Sequence, residues 1–174
     1  MRNTYIPDDH WDRIRRRCDE EYGACFEVLR KTGFRVDDVL YSRNWQWLGD
    51  CVSLRERKTG KIRTVPYTSE IIAAITSYRK AVGILIPEPL SYFFPARRRG
   101  VGLRRKAHRS TMIRQFQKAV RLAGLEGLGY TIHSLRKCYA RDLFRRTRSL
   151  LEVQRDLNHT NIATTALYVF SDCM

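Results

Sequence analysis

An α+β fold that is mostly α-helical, with one small antiparallel sheet, is what this 174-residue sequence predicts. Apolar residues recur at helical spacing through most of the chain. One stretch alone shows two β-prone arms around a turn. The apolar share of 43% and the length suit one domain with a real core.

Residues 8–30 read as a single helix, because Trp11, Ile14, Cys18, Cys25 and Leu29 fall at helical spacing and Gly33 follows as a stop. "RVDDVLYS", residues 35–42, reads as a short second helix. "CVSLRERKTGKIRTVPY" reads as a hairpin around Lys-Thr-Gly-Lys, closed by Pro66. Residues 69–82 return to helix, with Glu70 in the first turn where the dipole favours it. The next segment, to Arg109, carries three of the five prolines and is a long connection. Ser110 is positioned to cap "TMIRQFQKAVRLA", which Gly124 ends. Thr131 caps the helix of "TIHSLRKCYARDLFRR". Ser149 and Glu152 form a capping box for "SLLEVQRDL", which Asn158 ends, and Thr160 caps "NIATTALYVF".

Lys and Arg number 33 against 18 Asp and Glu, giving a net charge of +15 and a pI near 10.1. That excess points to a polyanion, and nucleic acid is the default partner. No apolar run is long enough to cross a membrane, and "MRNTYIPDDH" is not a signal peptide, so no membrane partner is expected. The five cysteines are scattered with no C-x-x-C pair, which argues for a reducing compartment and against a disulfide scaffold. The four dispersed histidines show no metal-ligand spacing.

"TIHSLRK" places His133 and Arg136 on one face at a helix start, where free N–H groups suit an anion. "TGFRVDD" places Arg35 at another helix start, with Asp38 three residues on to orient its guanidinium. "RERKTGKIR" puts Lys58 and Lys61 at a hairpin tip. Leu-Asn-His brings His159 twenty-three residues after Arg136, and Tyr168 follows nine residues later. Alone, each of these is ordinary: a surface ion pair, a solvated turn, a rim tyrosine. Their order is not ordinary.

That order resembles the catalytic domain of the tyrosine recombinases, the phage integrase family, from about residue 8 to Tyr168. The resemblance implies a small three-stranded antiparallel sheet near residues 45–67. It implies an active site of Arg35, Lys58, His133, Arg136 and His159, with Tyr168 as nucleophile and Asp38 in support. It further implies a site-specific recombinase that breaks and rejoins double-stranded DNA through a 3′-phosphotyrosyl intermediate, with no cofactor, metal or ATP. A homotetramer on synapsed DNA, a monomer in solution and a cytoplasmic, nucleoid-associated location go with it. Two departures stand out. Asn158 replaces the family's usual Gly, and only six residues follow Tyr168. Residues 1–174 therefore read as a single catalytic domain without the family's N-terminal DNA-clamping domain. The competing readings are a type IB topoisomerase and a non-catalytic DNA-binding regulator.

DNA contacts are expected from Lys61 and from Arg97, Arg98, Arg99, Arg104, Arg105, Lys106 and Arg109. Arg141, Arg145, Arg146 and Arg148 form a second basic cluster. Most such side chains touch phosphate and carry no sequence information.

Overall fold

In the computed structural model, residues 4–84, 86–96 and 105–170 are described. Arg97, Arg98, Arg99 and Arg104 lie outside them. The first helical stretch is two helices, α1 (Asp8–Arg16) and α2 (Glu20–Thr32). The break at 17–19 puts three arginines in the last turn of α1 and Glu20 and Glu21 in the first turn of α2, so both helix dipoles gain. Trp11 Nε1 donates to Glu27 Oε2 at 2.7 Å and Arg30 Nη2 to Asp8 Oδ1 at 2.6 Å, which folds α1 back along α2.

Helix α3 (Val36–Leu40) follows, then a 3₁₀ turn (Asn44–Trp47). Strands β1 (Cys51–Arg55) and β2 (Ile62–Pro66) pair antiparallel with Val52 opposite Val65 and Leu54 opposite Arg63. The sheet thus has two strands among the described residues, not the expected three. The residues before β1 are committed elsewhere. Gln46 Oε1 accepts from the Arg43 N–H at 2.8 Å, and the Asn44 and Trp45 N–H groups donate to Ser91 and Pro89 carbonyls. Trp47 is buried and stacks on Phe93 with ring centroids 4.0 Å apart.

Helices α4 (Ser69–Ala81), α5 (Arg109–Leu122), α6 (Ile132–Thr147), α7 (Leu150–Asp156) and α8 (Ile162–Phe170) complete the order. Thr131 and Ser149 accept from His133 N and Glu152 N, as their spacing predicts. Two expected caps shift. Helix α5 starts at Arg109, one residue before Ser110, and Asn161 Oδ1 rather than Thr160 accepts from Ala163 N at 2.8 Å.

The main core gathers around α2, which packs on α4, α5 and α6. Phe26 meets Phe116 of α5 edge-on at 5.3 Å. A second, smaller cluster joins the later part of α6 to α7 and α8 through Tyr139, Ala140, Val153, Leu157 and Val169. Tyr168 packs at its margin.

Candidate active site

The start of α6 is fixed by a reciprocal cap. Thr131 Oγ1 accepts from His133 N at 3.2 Å, and Ser134 Oγ accepts from Thr131 N at 3.1 Å. One turn on, Arg136 is 2% exposed. Its Nη1 donates to the Gly33 carbonyl and its Nη2 to the Leu157 carbonyl, both at 2.8 Å. Gly33 ends α2 with φ of 64°, and its flat face lies against the Tyr139 ring, so a side chain has no room there. That close approach brings the Gly33 carbonyl to Arg136 and sets Arg35 at the entry to α3.

Arg35 Nη1 meets Glu56 Oε1 at 2.5 Å, whereas its distance to Asp38 Oδ2 is 3.9 Å. Asp38 instead holds the end of the hairpin, accepting from Arg57 N at 2.8 Å. Glu56 is fully buried and also lies 3.4 Å from Arg136 Nη2. The sequence reading missed Glu56. Its signal is alternation: Val52, Leu54 and Glu56 all face inward from β1, and a carboxylate on an apolar face needs cationic partners. Burial pushes the Glu56 carboxyl up, but the Thr59 hydroxyl, Arg35 and Arg136 together hold it below its usual value. Burial keeps the Asp38 carboxyl above its usual value, despite the Arg57 N–H and Arg35.

The turn between β1 and β2 exposes Lys58 and Lys61. Gly60 (φ 70°) makes the turn, and its N–H donates to the Glu56 carbonyl at 2.8 Å. Asn158 adopts φ of 53°, a conformation asparagine tolerates, and its Nδ2 donates to the Ile62 carbonyl at 3.3 Å. Asparagine here therefore ends α7 and ties it to β2. His159 follows, with Nδ1 3.0 Å from the buried Thr165 Oγ1. The half-buried Tyr168 ring stands edge-on to His159 with centroids 5.3 Å apart. Burial, then Arg136 and Arg35, pull the His159 pKa down to about 4. Burial, then Arg109, Arg136 and Arg35, lower that of His133. Both imidazoles are neutral at neutral pH. Burial and the neighbouring Arg63 and Arg35 bring Arg136 down to about 10, and it stays charged.

All six predicted residues, Arg35, Lys58, His133, Arg136, His159 and Tyr168, line one cleft of about 750 Å³. Arg57 and Arg109 share its wall, with Arg109 3.2 Å from Asp37. Beside the cleft, Tyr41 carries Arg57 at 3.7 Å and Lys106 at 4.3 Å from its ring centroid. Lys61 and Arg105 are exposed and do not line it. The second basic cluster sits away from the cleft, where Arg141 and Arg145 lie over Tyr5.

Residues 5–173 match the phage integrase family, and the chain belongs to it. The tyrosine recombinase XerC of Xanthomonas axonopodis pv. citri is 31% identical over 153 residues, which cover 86% of this chain and 46% of that protein. A tyrosine recombinase of Pseudothermotoga lettingae is 28% identical over 148 residues, covering 85% and 46% respectively. The chain thus spans about half the length of these relatives. Among solved structures, the XerA recombinase superposes with a TM-score of 0.75 at 24% identity, covering 97% of this chain and 60% of that one. A lambda integrase tetramer bound to a Holliday junction superposes with a TM-score of 0.74 at 18% identity, covering 97% and 48%. These likenesses show the fold.

Proposed function

We propose that this chain is the catalytic domain of a site-specific DNA recombinase that cuts and rejoins strands through a covalent phosphotyrosine. The observation that carries the reading is the convergence of a tyrosine, two arginines, two neutral histidines and a lysine on one cleft. Family membership supports it.

In this reading Tyr168 Oη attacks the scissile phosphorus while the bond from phosphorus to the 5′-oxygen breaks. A free phenol has a pKa of about 10, so attack near neutral pH needs a base and positive surroundings. Neutral His133 takes the phenolic proton. Arg35 and Arg136 donate to the non-bridging oxygens, where charge builds up, and His159 adds a further hydrogen bond. Lys58 gives a proton to the leaving 5′-oxygen. The products are a 3′-phosphotyrosyl link and a 5′-hydroxyl. Attack by a second 5′-hydroxyl reverses the step, so exchange needs no ATP, and the guanidiniums supply the charge neutralisation that a metal gives elsewhere. Double-stranded DNA is the substrate, and a tetramer on two duplexes is the expected working assembly.

The test uses nicked duplexes with a randomised segment, at low salt and in EDTA. The wild type should form an SDS-resistant protein–DNA adduct, and sequencing the trapped DNA gives the cleaved site. Tyr168→Phe should abolish the adduct and leave DNA binding nearly unchanged, because only the attacking oxygen is lost. An adduct with the Phe variant would mean that another residue is the nucleophile.

A further inference from the structure

Two guanidiniums that must meet on one phosphate repel each other until the phosphate arrives. Here a carboxylate already stands between them. Glu56 Oε1 lies 2.5 Å from Arg35 Nη1 and 3.4 Å from Arg136 Nη2. Its Oε2 accepts from the Thr59 hydroxyl at 2.8 Å. Its backbone is pinned as well: the Glu56 N–H donates to Lys61 O, and its carbonyl accepts from Gly60 N, both at 2.8 Å. The side chain is fully buried, so this anchor is aimed from both ends.

Arg136 has its other contacts on the protein side, to the Gly33 and Leu157 carbonyls. Three of its donors are thereby committed to protein oxygens, and Arg136 also lines the cleft. We propose that Glu56 is a positioning residue for phosphoryl transfer. It is a buried counter-charge that holds Arg35 and Arg136 at the spacing the scissile phosphate requires, exchanging phosphate affinity for alignment. The inference rests on the functional reading above.

The exchange follows from electrostatics. Glu56 shares donors with the incoming phosphate and repels its charge, so it weakens ground-state binding. It also removes the reorganisation that two uncompensated cations would need when charge builds up at phosphorus, and prealigned donors act mainly in the transition state. The resting cleft keeps both arginines in place without a bound anion.

The Glu56→Gln variant keeps the shape and loses the charge: its amide oxygen faces the two arginines and its NH2 donates to the Thr59 hydroxyl. It should be compared with wild type on the nicked duplex that the wild type traps best. It should bind that DNA as tightly or more tightly, yet form adduct about tenfold more slowly or worse. A second substrate carries a methylphosphonate at the scissile position. It lacks one charged oxygen, so it depends less on the arginine pair, and the gap should close to about threefold. Thr59→Val removes the bond that aims the carboxylate from an exposed turn. It should show the same split at smaller size, and it serves if the Gln variant loses its fold.

Wild-type rates in both variants overturn the inference. So does a gap of equal size on the two substrates, or a parallel loss of binding and rate, since either marks general damage. Failure of the wild type to form any adduct overturns the functional reading itself.

Discussion

His159, a member of the proposed active site, also has a consequence for stability. Its ring is wedged among Arg136, Arg35 and the buried Thr165, and its pKa falls from 6.5 to about 4. The folded protein therefore resists protonating it, whereas the unfolded chain accepts a proton below about 6.5. Between these values the unfolded state binds more protons, so stability falls as pH drops from about 6.5 toward 4 and levels off below. The depression corresponds to up to about 3 kcal/mol, less after solvent screening at this half-buried ring. His133 is shifted the same way and adds to the slope. Thermal unfolding of wild type and His159→Gln between pH 7 and 4, taken about every half unit, should show a clearly flatter decline for the variant. Equal slopes would mean that the imidazole is not held neutral. At neutral pH His159 is uncharged, so in the proposed mechanism it would serve as a hydrogen-bond donor and not as a third cation on the phosphate.

At the scale of elements, the C-terminal end of α2 does two jobs through one glycine. Gly33 turns the chain left-handed, and its carbonyl holds Arg136. A Gly33→Ala methyl would run into the Tyr139 ring at a backbone conformation that L-residues disfavour. The left-handed backbone costs about 1 kcal/mol and the overpacking about 1–3 more. Chemical denaturation should show a loss of about 2–4 kcal/mol. Adduct formation should fall further than DNA binding, because the carbonyl that orients Arg136 moves. A variant with unchanged stability would contradict the close packing of α2 on α6.

Most elements were legible because their signals are local. Thr131 and Ser149 cap as their spacing implies, Gly33 and Asn158 stop helices, and the Lys-Thr-Gly-Lys turn makes a hairpin. What stayed hidden depends on distant partners. Residues 44–47 close on the segment around Pro89 to Phe93, which no local pattern reveals, and so the third strand was expected in error. The break at 17–19 is masked by helical spacing that continues across it. At the site, the six residues marked by the order of motifs all line the cleft, beside others that it did not mark. Glu56 was missed because a carboxylate two residues before a turn lysine reads as solvated charge until Arg35 and Arg136 arrive from helices elsewhere in the chain. Asp38 was identified as a member of the site, but its closer contact is the Arg57 backbone rather than Arg35.

At the scale of the whole molecule, charge and packing divide the labour unevenly. The net charge of +15 favours a polyanion, and among the described residues the walls of the cleft place cations beside Tyr168. The packing is divided too. Arg35 and Arg136 flank residues of the main core, while Tyr168 rides on the small cluster of α6, α7 and α8. Helix α8 buries only Thr165 and Val169. Local opening is cheapest where little apolar surface is buried. Deuterium uptake in native conditions should therefore reach the α8 amides well before those of α2, with α7 following α8. Simultaneous uptake across all three would show a single cooperative unit. The staged result would put the proposed nucleophile on the part of the molecule that opens first: Tyr168 could be withdrawn or presented while Arg35 and Arg136 stay in place, and only the Thr165 contact of His159 would have to be remade.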